Sequence, residues 1–239
     1  MQYWMMPLDA HYDSGFGAIA ESFREAAKAL REVKPNPGFF EHLPQSFLFR
    51  HSVELFLKSE IIILHRSLKL PYGTEPHDGT PLIQESTKWT PMFRVHSIGI
   101  LFAHWRSLID PRLAELKDMT KYKADWNIDA DADEWARIID ATDPRSTYSR
   151  YPSIRDPVED RSKSPFKETA QEDIFPANAP PERRIVALVV ENQDREFVRA
   201  YVSDKRDEQD KQYMEALEAM CEMLFNYHAM MRFELTGGF

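Results

Sequence analysis

The segment from Gln45 to Leu70 constrains the fold more than any other part of this chain. Pro44 stands where proline is favoured in the first turn of a helix, and Pro71 follows directly after the segment. The segment has the length of about seven helical turns at 3.6 residues per turn. Apolar residues cover most of its circumference, including the aliphatic run Ile61–Leu64. A helix that is apolar on nearly every side needs neighbours all around it, so we expect it at the centre of the molecule.

Helical spacing of apolar residues predicts further helices on both sides of this segment. The first runs from Asp13 to Val33, with Asp13 or Ser14 as its cap, and the proline-containing run 34–38 ends it. The others are expected at Ser97–Ile109, Pro111–Met119, Asp131–Ala141 and Asp204–Phe233. The chain has only 8 glycines in 239 residues, which agrees with a mainly helical fold.

Three regions lack helical spacing. Four prolines punctuate residues 71–91, which reads as a connector. The region from Thr142 to Pro181 is rich in proline, serine and charge, which is typical of a long irregular loop. Two β-branched runs, Ile185–Val190 and Phe197–Val202, allow at most a small β-hairpin. We therefore predict one mainly α-helical bundle spanning residues 1–239, with 142–181 as a long loop within it.

Composition indicates a cytoplasmic protein. A formal charge of −9 and a pI near 5.4 argue against a whole surface that coats nucleic acid or an anionic membrane, although a local basic patch remains compatible. The longest aliphatic run has four residues, far below the roughly 20 that span a bilayer. The first eight residues lack a signal-peptide pattern. The single cysteine, Cys221, excludes an internal disulfide and suits a reducing compartment.

Familiar cofactor and metal motifs match this chain poorly. Residues 15–20 read G-x-G-x-x-A, but no strand precedes them and no βαβ unit follows, so a small-residue helix start is favoured over a dinucleotide site. Residues 129–133 begin like an EF-hand loop, yet Glu134 replaces the glycine of the turn and Asp140 replaces the final glutamate. The eight histidines show no metal-binding spacing. We predict neither a cofactor nor a metal.

A stripe of ionisable side chains interrupts the apolar surface of the central helix. At about 100° per residue, five of them fall within one sector of the helix. They are Arg50, His51, Glu54, Lys58 and His65. One interpretation is a solvent-exposed face with Arg50–Glu54 and Glu54–Lys58 pairs at i,i+4 spacing. The other is a polar cleft in which Arg50 and Lys58 meet an anionic phosphate and Glu54 positions His51.

Three sequence blocks resemble the HEPN superfamily of helical bundles. Residues 49–59 contain R-H-x-x-E-x-x-L-K, residues 95–105 read VHSIGILFAHW and are similar to the segment that follows in bacterial members, and residues 143–152 contain D-P-R-S and S-R-Y-P. The resemblance implies an α-helical bundle that pairs as a homodimer, with RNA, a nucleotide or a protein partner encoded nearby as its ligand, in antiviral defence or toxin–antitoxin systems. The apolar circumference of the central helix also favours a homodimer, unless the last helix covers it.

The resemblance does not extend to the ribonuclease motif of this superfamily. Catalytic members carry R-x4-6-H, whereas Leu55, Phe56 and Leu57 occupy the histidine positions after Arg50. Metal-independent RNA cleavage needs a base near the 2′-hydroxyl and a cation near the phosphate. Arg50 can supply the cation, and His51, His65, His96 and His104 are the available bases. Candidates for catalysis are therefore Arg50, His51 and Glu54, with none at the family spacing.

The region 144–167 adds a basic stretch. It holds six basic and three acidic residues, a local net charge of +3, interleaved with Tyr148, Tyr151 and Phe166. Such a stretch either binds single-stranded nucleic acid by charge and stacking or simply keeps a loop in solution. Our candidate ligand-binding residues are Arg50, His51, Glu54, Lys58, His96, Arg150 and Tyr151. The expected function is non-catalytic binding, with a divergent metal-independent ribonuclease and a scaffold subunit as alternatives.

Overall fold

A computed structural model describes residues 3–32, 42–121, 124–151, 160–161, 163–164, 166–174, 186–203 and 208–238. Its helices are α1 (Phe16–Arg31), α2 (His42–Ser67), α3 (Ile98–Ile109), α4 (Leu113–Met119), α5 (Ala132–Thr142), α6 (Gln171–Ile174) and α7 (Glu208–Met231). Its strands are β1 (Leu82–Glu85), β2 (Lys88–Pro91), β3 (Lys167–Thr169), β4 (Val186–Glu191) and β5 (Phe197–Ser203). The prediction of a mainly α-helical chain is confirmed. None of the helices among these residues is both long and apolar enough to cross a membrane.

Helix α2 lies at the centre of the main hydrophobic core, as predicted. It packs against α1, α3 and α7, and most of its apolar side chains are buried, Phe49, Phe56 and Ile61 completely, whereas Phe47 and Leu48 near its start are half-buried. Helix α7 contributes to this cover through Leu217, Leu224 and other core residues. Most of the apolar surface of α2, which favoured a homodimer, is thus covered within the chain by α7 and the other helices, the alternative named above. Homodimerisation keeps only the support of the family resemblance.

The start of α1 is built around Asp13. The helix begins at Phe16 with Gly15 as its N-cap residue, later than predicted, but the carboxylate of Asp13 still accepts hydrogen bonds from the backbone N–H groups of Gly15 (3.0 Å) and Gly17 (2.7 Å). Gly15 has φ 83°, in the left-handed region that glycine favours. A Cβ atom on Gly17 would lie 2.0 Å from Nε2 of His228, so glycine is needed there for the close approach of α7. Both glycines of the G-x-G pattern therefore have structural reasons.

Two hairpins connect the helical parts. The connector 71–91 was expected to be irregular, but β1 and β2 form an antiparallel pair from Leu82↔Pro91 to Glu85↔Lys88, and Ser86 in the turn has φ 55°. The alternation of Ile83 inward and Gln84 outward supports this pairing. The predicted hairpin at 185–202 is confirmed as β4–β5. Residues 152–159, 162, 165 and 175–181 of the predicted loop 142–181 lie outside the described residues; the described part is more regular than expected, because β3 pairs with β5 and α6 follows it.

Candidate functional site

The polar stripe of α2 is buried. Arg50, Glu54 and Lys58 expose only 1%, 2% and 3% of their surface, and His65 is buried as well. The interpretation of a solvent-exposed face is therefore wrong for these four residues. The helical spacing correctly predicted that these residues lie on one side of α2. That side does not face solvent, because it is covered by residues 95–97, α3 and Asp143. What covers a helix face is decided by tertiary packing and not by the helix's own pattern.

Glu54 is the centre of this network. Its Oε1 accepts hydrogen bonds from Lys58 Nζ at 2.8 Å and from His96 Nδ1 at 3.0 Å, and its Oε2 accepts one from Arg50 Nη1 at 3.1 Å. Burial opposes ionisation of this carboxyl, but the ammonium of Lys58 and the guanidinium of Arg50 outweigh it and lower the pKa of Glu54. Glu54 is thus held as a carboxylate with three donors around it.

The guanidinium of Arg50 donates hydrogen bonds from Nη1 and Nη2 and forms an ion pair through Nε. Besides Glu54, it contacts the backbone oxygens of His96 (2.5 Å) and Asp143 (3.3 Å) through Nη2, and its Nε lies 3.0 Å from Oδ2 of Asp143. Asp143 in turn accepts hydrogen bonds from the backbone N–H groups of Thr147 and Tyr148 through Oδ1. Asp143 was not among the candidate residues, although it begins the third block that resembles the HEPN superfamily.

The charges of this network are balanced. Arg50 and Lys58 contribute two positive charges, and Glu54 and Asp143 contribute two negative ones, all in buried side chains. A site built to receive a phosphate carries a surplus of positive charge, because the anion must be compensated when it is desolvated. With its charges already paired, this network links α2 to the segment before α3 and to the end of α5.

His51 is not positioned by Glu54, contrary to the cleft interpretation. Its ring packs edge-on against Phe23 (centroids 4.5 Å apart) and parallel to Phe47 (5.8 Å, 5° between planes). Its Nδ1 is buried and makes no hydrogen bond with any of the described residues. Burial lowers the pKa of His51, which keeps the imidazole neutral at neutral pH. His51 belongs to an aromatic cluster and not to the ion network.

Arg150 joins this aromatic cluster from outside. Its guanidinium carbon lies 5.5 Å from the centroid of Phe47, within the range of a cation–π contact, and the residue is exposed. Tyr151 follows with 54% of its surface exposed, and its backbone oxygen accepts a hydrogen bond from Lys163 Nζ. We call Phe47, His51, Arg150 and Tyr151 the aromatic–basic surface. Phe47, which lies one turn before Arg50 and His51 on α2, was not among the residues predicted from the sequence.

The rest of the basic stretch offers less to a ligand than its sequence indicates. Lys163 and Tyr148 are buried, and Lys163 Nζ lies 5.2 Å from the centroid of the Tyr148 ring. The hydroxyl of Tyr148 donates a hydrogen bond to Asp210. Arg155 and the acidic residues Asp156 and Glu159 lie outside the described residues. Of the three interleaved aromatic residues, Tyr151 is the one that the structure leaves largely exposed.

The candidate bases separate into two groups. His65 and His104 are buried and face each other, with their Nε2 atoms 3.4 Å apart, so neither reaches an external substrate. The side chain of His96 is 41% exposed. Because its Nδ1 hydrogen is donated to the carboxylate of Glu54, Nε2 is the nitrogen left to accept a proton. Among the four candidate bases, His96 is the one that both contacts a carboxylate and is accessible to solvent.

Comparisons with known proteins add no relative: no protein-family model, no curated protein and no solved structure matches this chain. Within the described residues no three histidine, cysteine, aspartate or glutamate side chains are grouped so that they could hold a metal ion. The ion network, the aromatic–basic surface and His96 are therefore the features from which a function can be inferred.

Proposed function

We propose that this chain is a non-catalytic, HEPN-like helical protein that binds single-stranded RNA through its aromatic–basic surface. The HEPN resemblance supplies the class of ligand and the setting, which is antiviral defence or a toxin–antitoxin pair. The observation that carries the proposal is the placement of an exposed guanidinium, Arg150, against Phe47, which in turn is parallel to the ring of His51. Stacking surfaces beside a cation suit unpaired bases and their phosphates.

The ion network supports a binding role over a catalytic one. Arg50 is the residue that a ribonuclease of this class would need at the phosphate, and here it is buried with all its nitrogens engaged. If Arg50 left the network to bind a phosphate, Glu54 and Asp143 would remain as buried carboxylates with fewer partners. Breaking a buried ion pair in this way costs about 3–5 kcal/mol. We assign to Arg50, Glu54 and Lys58 the role of holding the aromatic–basic surface in place.

The binding proposal is tested by fluorescence anisotropy with a labelled single-stranded RNA of mixed sequence at low salt. Arg150→Ala should weaken binding at least fivefold, since it removes both a charge and a cation–π partner. Lys117→Ala, which removes one exposed positive charge from α4, is the matched control and should change the affinity by less than twofold. Equal effects of the two variants, or no RNA binding by the unaltered chain, would refute the proposal and favour the scaffold alternative.

A divergent metal-independent ribonuclease is the second candidate, and one observation favours it. Glu54 fixes the tautomer of His96 and leaves its Nε2 on the exposed side of the network, which is how a general base is oriented. In this reading Arg50 does not contact the phosphate, because its nitrogens are taken; an exposed cation would have to do so. Cleavage of single-stranded RNA in excess EDTA that is abolished by His96→Ala and retained by His77→Ala would establish this candidate.

Homodimerisation remains part of the proposal through the HEPN resemblance alone. Size exclusion coupled to light scattering at micromolar concentration distinguishes a 28.0 kDa monomer from a dimer of twice that mass. A monomer would remove dimerisation from the proposal without bearing on the RNA-binding surface.

A further inference from the structure

A pocket outside the sites described so far lies between α5, the residues that precede it and the second half of α7. Its volume is about 560 Å³, within the range of small-molecule sites. Its apolar lining includes Trp135 of α5 and Met223, Tyr227 and Met230 of α7. Its polar lining includes Asp125 and Asp129. No Lys or Arg side chain lines it among the described residues.

The two aspartates make this pocket electrostatically negative. Both are exposed, and each uses one carboxylate oxygen to accept a backbone N–H, that of Asn127 for Asp125 and that of Asp131 for Asp129. Neither has an ion-pair partner in the part of the chain that the structure describes. The N-terminus of α5 opposes them with a partial charge of about +0.5, which two full carboxylate charges exceed. The mouth of the pocket therefore attracts a cation.

A third carboxylate in the lining does not add to this charge. Glu222 is paired with Arg24 at 2.6 Å and with Lys28 at 2.5 Å, on the side of α7 that faces α1. Burial opposes ionisation of Glu222, but its hydrogen bonds with Arg24 and Lys28 prevail and lower its pKa. Its charge is consumed within the fold, so Asp125 and Asp129 are the carboxylates left to meet a ligand.

The apolar lining specifies what kind of cation fits. Trp135 is half-buried, and indole has the ring face on which cations bind best. Tyr227 is nearly buried, and its hydroxyl is already committed to the backbone oxygen of Trp126 at 2.7 Å. The two methionines are apolar and polarisable. This apolar floor satisfies N–H donors poorly, so an ammonium group seated on Trp135 is favoured when it is alkylated, with Asp125 and Asp129 meeting its charge at the mouth of the pocket.

We propose that this pocket binds a small organic cation with an alkylated ammonium group, which Trp135 receives on its ring face while Asp125 and Asp129 supply the compensating charge. The ligand is a free small molecule, because the volume of the pocket is in the range of small-molecule sites. This site is independent of the proposed RNA-binding surface, since no residue belongs to both.

The probe is choline, compared with its neutral isostere 3,3-dimethylbutan-1-ol. Binding is followed by NMR at low salt on the indole N–H signal of Trp135, which is identified by its absence from the spectrum of Trp135→Phe. Choline should shift this signal with saturation, and the neutral isostere should bind at least tenfold more weakly. Equal affinities of the two, or no saturable shift with choline, would overturn the proposal.

Variants localise the site through saturation transfer to choline, which needs no tryptophan signal. The affinity for choline should be highest in the unaltered chain, lower in Trp135→Phe and lowest in Trp135→Leu. The leucine variant should bind choline at least tenfold more weakly than the unaltered chain. Asp125→Asn and Asp129→Asn should each weaken binding at least threefold with little change in shape, and Asp118→Asn, an exposed carboxylate of α4 outside the pocket, should not. If Trp135→Leu fails to fold, the phenylalanine and asparagine variants decide: unchanged affinity in all of them would refute the site.

Discussion

Nε of Arg50 lies 3.0 Å from Oδ2 of Asp143, which joins the second helix of the fold to the end of the fifth inside a buried network. Because Arg50 also contacts Glu54 and the backbone oxygen of His96, one side chain links α2, the segment before α3 and the chain after α5. Arg50 therefore connects three separate segments of the fold, and the contribution of this network to the free energy of unfolding can be measured.

Arg50→Ala should destabilise the fold by about 3–5 kcal/mol, because Glu54 and Asp143 would remain buried with an uncompensated charge. Urea denaturation followed by circular dichroism gives the free energy of unfolding. Arg137→Ala is the matched control: its pair with Glu134 is exposed on α5, and such pairs contribute about 0–1 kcal/mol. Should Arg50→Ala not fold at all, Arg50→Lys keeps the charge and loses the fork, and a loss no larger than the control's would contradict the structural role.

Glu60→Gln should remove a pH-dependent instability from the core. Glu60 is fully buried, and burial raises its pKa well above the usual value, an effect that the indole of Trp105 offsets only in part. The native state therefore holds a proton that the unfolded chain releases above about pH 4.3, so the stability due to this group is lost as pH rises. At pH 8 the variant should be more stable than the unaltered chain by about 1 kcal/mol or more, and this gain should shrink at pH 5.

Unfolding by urea at both pH values checks this prediction, with Glu115→Gln, an exposed position on α4, as the control. A gain that is equal at pH 5 and pH 8 would show that the proton on Glu60 is not its origin.

His65 and His104 should make the protein acid-sensitive. Nδ1–H of His65 donates to the backbone oxygen of Leu70 at 2.9 Å, so its Nε2 accepts the Nε2–H of His104. Burial lowers the pKa of both histidines to about 4. The unfolded chain binds these protons near pH 6.5, so the stability of the pair is present above that pH and is lost as pH falls towards 4.

His104→Gln should reduce the pH dependence of the free energy of unfolding between pH 6 and pH 4.5 by about 1.4 kcal/mol per pH unit, the value for one proton. Urea titrations across this interval measure the slope. His77→Gln, at a half-buried position in the connector, should leave the slope unchanged. A slope that stays the same in His104→Gln would contradict the assignment of a neutral buried pair.

Gly17→Ala should destabilise the protein, although alanine normally favours a helix over glycine by about 1 kcal/mol. The added Cβ would lie 2.0 Å from Nε2 of His228 and 2.8 Å from Oδ2 of Asp13, and both of those side chains are buried. Thermal unfolding should show a lower midpoint. Ser22→Ala, a neutral change on the same helix, should shift it much less, and a midpoint raised by Gly17→Ala would show that α7 can move aside.

Helices were predictable because their signals are local. The spacing of apolar residues in α1, α3 and α7, the hydrogen bonds of Asp13 to the start of α1, and the start of α3, predicted at Ser97 and found at Ile98, all depend on residues within a few positions of one another. The β1–β2 hairpin was missed because prolines at both its ends, Pro81 and Pro91, are typical of an irregular connector. The region after Thr142 was judged by composition, which does not reveal that Lys167–Thr169 can pair with a strand some 30 residues later.

Only the local part of the candidate site could be predicted, because contacts between residues far apart in the chain leave no local signal in the sequence. The sequence alone determined that Arg50, Glu54 and Lys58 share one side of a central helix, since helical geometry places residues four apart together. Whether that side meets water or protein depended on groups far along the chain: Asp143 and His96 decided that Arg50 is a buried tie, and Phe47 and Arg150 decided that His51 joins an aromatic surface. Burial is a property of what packs on a residue, and only the tertiary structure assembles those partners.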